Sequence, residues 1–192
     1  MYGVDRNGVG RPIATDKMGV LLTRSVLMDA AMDGRLFSAA SQDNVTTTVA
    51  MSTTWTGLGI YNPAASGKDL VFHEFGWHQE IVMLTAAGGF GLFAATSTDA
   101  AVGVAVQGAK YGQVGSVAIA EEACTIADPI LVRSGLGSHM TGGINTIPSV
   151  GMNIVNIDGA IVIPPGYGLF SYTFVVATLN ILFHFVWEEI DV

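Results

Sequence analysis

From Val45 to the end of the chain, short runs rich in β-branched and aromatic residues recur, and each stops at Gly, Pro, Asn, Asp or Ser. Residues 45–51, 56–61, 69–75, 77–85, 90–95, 101–107, 114–120 and 130–132 follow one another at spacings of roughly 8–12 residues, the rhythm of strands joined by tight turns. That spacing favours an all-β antiparallel sandwich or barrel over alternating strands and helices. Gly76 divides the third run from the fourth and reads as a bulge or tight bend.

The last third is the clearest. Residues 151–157 form a strand candidate, Asp158 and Gly159 a turn, and residues 160–163 a short strand stopped by Pro164, Pro165 and Gly166. Two prolines remove two backbone donors, so that triplet belongs at a corner and not inside a sheet. Residues 167–177 and 181–190 then pair around Leu179 and Asn180. In the final strand Phe183, Phe185 and Trp187 alternate with His184, Val186 and Glu188, which places a row of aromatic rings on one face. Residues 159–187 carry no Lys, Arg, Asp or Glu, enough apolar length to raise a membrane span. Asn180 and His184 within the stretch, its β-branched residues and the lack of a flanking basic cluster favour two buried strands instead.

Ahead of the strands, residues 1–17 hold five charged residues and three glycines and read as an extended N-terminal arm that orders only against a neighbour, or not at all. Met1 is not followed by a basic stretch and an apolar run, so no signal peptide is expected. Leu21, Met28, Met32 and Leu36 fall near a helical period, so residues 18–37 read as either a short helix or a strand and turn. Residues 18–192 form the sandwich domain.

Charge narrows the function. Only 12% of the 192 residues are charged, against about 25% in an ordinary globular domain. Sixteen acidic and eight basic residues give a net charge of -8, which leaves no basic surplus to displace counterions from nucleic acid. A surface this poor in charge suits permanent contact with protein neighbours, most simply a symmetric homo-oligomer.

Individual residues offer little chemistry. Ser66, Gly67 and Lys68 evoke a phosphate loop, but position 62 is Asn where the loop needs Gly, and Asp69 stands where it needs Ser or Thr. The segment reads as a turn. His73, Glu74, His78 and Glu80 form the densest polar cluster and would be metal ligands if a regular strand put them on one face; a solvated or subunit-contacting face is the plainer reading. His139 sits in a glycine-rich loop without a partner carboxylate or thiol, and His184 lies in or against the core or an interface. Cys124 reads as a buried small hydrophobe. Glu188, Glu189 and Asp191 could hold calcium, but carboxylates near a terminus more often solubilise a strand end. Asn44 begins a glycosylation sequon that matters only on a secretory route. No catalytic, cofactor-binding or metal-binding residue is assigned, no cofactor is expected, and the chain is not read as an enzyme.

Two stretches carry a family likeness: TGLGIYNPAASGKDLVF, residues 56–72, and GAIVIPPGYGLFSYT, residues 159–173, followed by FVWEEI at 185–190. GRLFSAASQ, residues 34–42, adds to it. The chain resembles a group of small β-rich virion structural proteins of tailed bacteriophages and prophages. The resemblance implies a jelly-roll-like antiparallel sandwich and a place in the virion, as a capsid decoration or cement protein on the head. It brings no catalytic residues. The implied partners are copies of the chain, as a trimer, and the major capsid protein or another virion protein, with no nucleic acid and no membrane. The alternative is a tail- or fibre-associated module that binds carbohydrate or a receptor, with Trp55, Trp77 and Tyr111 as stacking residues.

Overall fold

A computed structural model describes residues 2–4, 10–12, 26–42, 45–47, 52–79, 88–110, 112–113, 115–139, 152–173 and 177–192. In the N-terminal arm, β1 (Tyr2–Val4) and β2 (Gly10–Pro12) pair antiparallel as a short hairpin. The stretch read as helix or strand contains both: helix α1 (Val26–Met32) leads into β3 (Leu36–Ala40). Gly34, at φ +72°, makes the turn between them, where its N–H donates to the Ala31 carbonyl and the Arg35 N–H to that of Ala30.

The other strands are β4 (Val45–Thr47), β5 (Thr54–Tyr61), β6 (Lys68–Gln79), β7 (Gly88–Val104), β8 (Val106–Gly108), β9 (Ile119–His139), β10 (Met152–Ile163), β11 (Gly168–Thr173) and β12 (Ala177–Asp191). They form two antiparallel sheets packed as a sandwich. The first has the order β10-β6-β12-β3-β8, with β4 also beside β12. In the second, β11 lies between β5 and β7, and β7 pairs with β9. From β4 onward the chain changes sheet at every step, from β5 through β12, so that neighbours in a sheet are distant in sequence. This is the jelly-roll order.

The row of rings expected in the final strand forms the centre of the core. Phe183, Phe185 and Trp187 face inward beside Phe72, Phe75 and Trp77 of β6, and all six are buried. Phe75 and Phe185 lie 5.0 Å apart between centroids, and Trp77 crosses the sandwich to stack on Phe90 of β7 at 4.6 Å. Leu58, Ile60, Leu92 and Leu169 supply the facing layer. The uncharged stretch is therefore strand, and among the described residues no helix is long and apolar enough to cross a membrane.

The second sheet has an additional closure. The first part of β9 pairs with β5 as well as with β7, so β11, β5, β9 and β7 form a closed ring. Curling buries what would otherwise be an exposed apolar face: Trp55, Phe93, Ala95, Cys124, Ile126 and Phe170 form a separate small core. Trp55 Nε1 donates to the Ser171 carbonyl at 3.0 Å, which satisfies the buried indole. Cys124 is buried there, as its reading from the sequence expected.

Several expected breaks are absent. β6 runs unbroken through Gly76, and its irregularity lies three residues earlier: Val186 pairs with Glu74 and Trp187 with Phe72, which leaves His73 as the extra residue. Asp158 and Gly159, at φ +50° and +77°, do not end a strand. They lie in a bulge of β10, between the pairs Asn156–Glu74 and Ile161–Phe72. The turn expected at Leu179 and Asn180 is replaced by continuous β12. Likewise the backbone of residues 134–139, expected as a loop, continues β9 to the pair His139–Gly88.

Candidate functional site

Three places on the described surface bring chemistry together: the junction of the two signature loops, the outward face of the first sheet, and an exposed apolar run of β9.

At the junction, Asn62 is fully buried. Its amide Nδ2 donates to the Lys68 carbonyl across its own loop and to the Ile163 carbonyl at the start of the second loop, at 2.7 and 3.1 Å. Its backbone bonds Tyr167 O and Gly166 N, so residues 62–68 and 163–167 form one locked corner. Ser66 accepts from the Lys68 N–H at 3.3 Å, which closes the turn. Lys68 Nζ turns to Asp191 and Glu189, at 3.6 and 3.8 Å. The serine, glycine and lysine therefore build a structural turn whose lysine is engaged by carboxylates.

On the first sheet, alternation in β6 and β12 sends Glu74, His78, His184 and Glu188 outward. His184 lies over Gly76: a Cβ on that glycine would stand 1.9 Å from the imidazole Cε1. The absent side chain lets the ring lie flat and reach Glu74, with Nε2 2.7 Å from Oε1. This explains Gly76 better than a bend does. The bulge swings His73 beside Glu188, with Nε2 3.4 Å from Oε2. Arg35 forms an ion pair with the same carboxylate from the other side. Burial lowers the His73 pKa below its ordinary value, and the nearby Asp158 carboxylate opposes that shift. Among the described residues no group of three or more His, Cys, Asp or Glu is placed to hold a metal ion. Instead His73 pairs with Glu188 and Glu74 with His184, both from β12, His78 belongs to neither pair, and Glu80 lies outside the described residues.

The carboxylates of the last strand do not simply solubilise its end. Glu189 is buried on the inward side, where Oε1 accepts from Ser116 Oγ and from the Val117 N–H, the latter at 3.0 Å. It thereby ties β12 of one sheet to the segment that leads into β9 of the other. Glu188 is buried under Arg35 and His73, and of the three only Asp191 is open. Period-two alternation cannot announce these roles, because the partners of both glutamates come from distant segments.

Of the aromatic residues named as stacking candidates, Trp55 and Trp77 are core residues, and Tyr111 lies outside the described residues. The surface instead exposes aliphatic side chains. Ile130, Leu131 and Val132, consecutive in β9, are 65%, 45% and 39% exposed. Val132 is the extra residue of a β9 bulge, between the pairs Leu131–Phe93 and Arg133–Leu92. Among the described residues the β5 side of β9 is paired only as far as Ile126, whose N–H donates to Thr53 O. Among the described residues β7 alone flanks the rest.

The chain matches no family model, no curated protein and no solved structure.

Proposed function

We propose that the chain is a virion structural protein, a capsid decoration or cement protein that braces the head of a tailed bacteriophage through multivalent protein contacts. The observation that carries the reading is the exposed apolar run Ile130, Leu131 and Val132 of β9 on a sandwich stiffened by two cores. Single exposed apolar residues are ordinary, but three in succession suit a docking surface. The low charge supports the same role, since a sparsely charged exterior suits lasting protein contact. Attachment would combine several modest contacts, made by a trimer and by the N-terminal arm, against the major capsid protein. Burial of Trp55 and Trp77 takes two of its three stacking residues from the carbohydrate-binding alternative.

The test is to add the purified protein to heads that lack it, with a second sample deleted of residues 1–17. The full chain should co-sediment with heads and raise the temperature at which they release their contents. The truncated chain should keep its β-rich circular dichroism and attach more weakly. A full chain that neither sediments with heads nor protects them refutes the proposal.

A further inference from the structure

We propose that Asp158 and Gly159 form a self-modification site, at which the folded chain converts its own aspartyl bond to isoaspartate. The chain has two Asp-Gly steps, Asp33-Gly34 and Asp158-Gly159. Glycine has no Cβ to hinder the approach of its amide nitrogen to the neighbouring carboxyl group. The Gly159 nitrogen attacks Cγ of the protonated Asp158 carboxyl group. A C–N bond forms, the carboxyl C–O bond breaks, and water leaves with the nitrogen's proton, which closes a five-membered succinimide. Water then opens the ring. Attack at the side-chain carbonyl restores aspartate; attack at the main-chain carbonyl gives isoaspartate, whose main chain runs through Cβ. Water is lost once and gained once, so the reaction needs no other reactant.

The structure separates the two steps. Asp158 is exposed, and among the described residues no hydrogen bond or ion pair holds its carboxylate. Residues 157–160 lie between the pairs Asn156–Glu74 and Ile161–Phe72, where β6 sets only His73 against them, so the Gly159 N–H has no ladder partner in β6. Asp158 at φ +50° and Gly159 at φ +77° turn the backbone out of the extended line. A Cβ on Gly159 would stand 3.3 Å from Val71 Cγ1, so packing as well as φ favours glycine there. At the other step the same groups are engaged. The Gly34 N–H donates to the Ala31 carbonyl at 3.1 Å, and Arg35 Nη2 donates to Asp33 Oδ2 at 3.2 Å. Ring closure at Gly34 must first break the turn that ends α1. The bulge also accommodates the product. Isoaspartate adds a methylene to the main chain, and a segment already outside the ladder takes up that length without moving the pairs on either side.

This chemistry is independent of a place in the virion, and the purified chain alone tests it. The full chain is held folded at neutral pH and physiological temperature for several weeks, beside a sample kept in urea. Isoaspartate is quantified with an isoaspartyl methyltransferase and tritiated S-adenosylmethionine, and its position is read by electron-transfer fragmentation of peptides. In the folded chain Asp158 should yield about tenfold more isoaspartate than Asp33, the factor that a hydrogen bond and a turn withhold. In urea the two sites should react alike, since the fold no longer distinguishes them. The aged chain should keep its β-rich circular dichroism. Asp158→Asn keeps a side chain suited to left-handed φ and closes the same ring by expelling ammonia, so that position should become a mixture of aspartate and isoaspartate, faster than in the parent. Folded chains with no isoaspartate at Asp158, equal yields at the two sites when folded, Asp158→Asn chains that retain their amide, or loss of β structure as the product forms would overturn the proposal.

Discussion

Replacing Gly59 by alanine tests whether the small core inside the closed ring is packed as tightly as its geometry implies. Gly59 of β5 lies opposite Phe170 of β11 in the register. A Cβ there would stand 2.2 Å from the ring's Cδ1 and 2.5 Å from Cε1, where carbon atoms prefer about 3.5–4.0 Å. The ring has nowhere to go. Gly168 lies against its other edge, where an added Cβ would stand 2.7 Å from Cε2 and Cζ. Phe93 stacks on it at 5.4 Å, and Trp55 meets it edge-on at 5.0 Å. The ring or the strand must therefore shift by more than about 1 Å, and overpacking of this kind costs about 2–3 kcal/mol. For a chain of this size the melting temperature falls by roughly 4–12 °C, read by calorimetry or circular dichroism. Phe170→Leu destabilises the native chain but should cost less in the Gly59→Ala background, with a coupling of about 0.5–3 kcal/mol. A Gly59→Ala chain that melts like the parent, or costs that simply add, would refute the claim that the glycine makes room for the ring.

Two further outcomes follow from the buried polar groups. Glu189→Ala strands the Ser116 and Val117 donors and should cost about 1–3 kcal/mol in urea unfolding, with faster amide exchange at Val117, whereas Glu189→Gln keeps an acceptor and should cost less. His73 is held below its ordinary pKa of 6.5 by burial, so the folded chain binds fewer protons there than the unfolded chain. Its contribution is present above pH 6.5 and is lost as pH falls through the lowered value; His73→Gln should flatten that part of the stability–pH curve, and an unchanged curve would rule out the residue as its source.

Fold class was legible because turn residues and β-branched runs act locally, and alternation alone placed Phe183, Phe185 and Trp187 in the core. Where a residue's role depends on a strand distant in sequence, local reading failed. Gly76 reads as a bend, yet its missing side chain serves His184, which comes from another strand. Asp158 and Gly159 read as a turn because both take left-handed φ readily, and a bulge uses the same conformations. Glu188 and Glu189 look like a polar end because the arginine, lysine and histidine that accompany them are spread along the chain. Residues 130–132 read only as a strand, because side-chain exposure depends on packing partners that no run of residues announces.

The placement of β12 has a consequence for biosynthesis. This strand lies in the middle of the first sheet, between β6 and β3, yet it follows every other strand in sequence. While it is still inside the ribosome, β6 and β3 lack the partner that joins them, and the aromatic rings of β6 have no Phe183, Phe185 or Trp187 beside them. The sandwich cannot close until Asp191 has emerged. Topology of this kind is slow to fold, and the nascent chain must survive that interval with its stickiest strands uncovered.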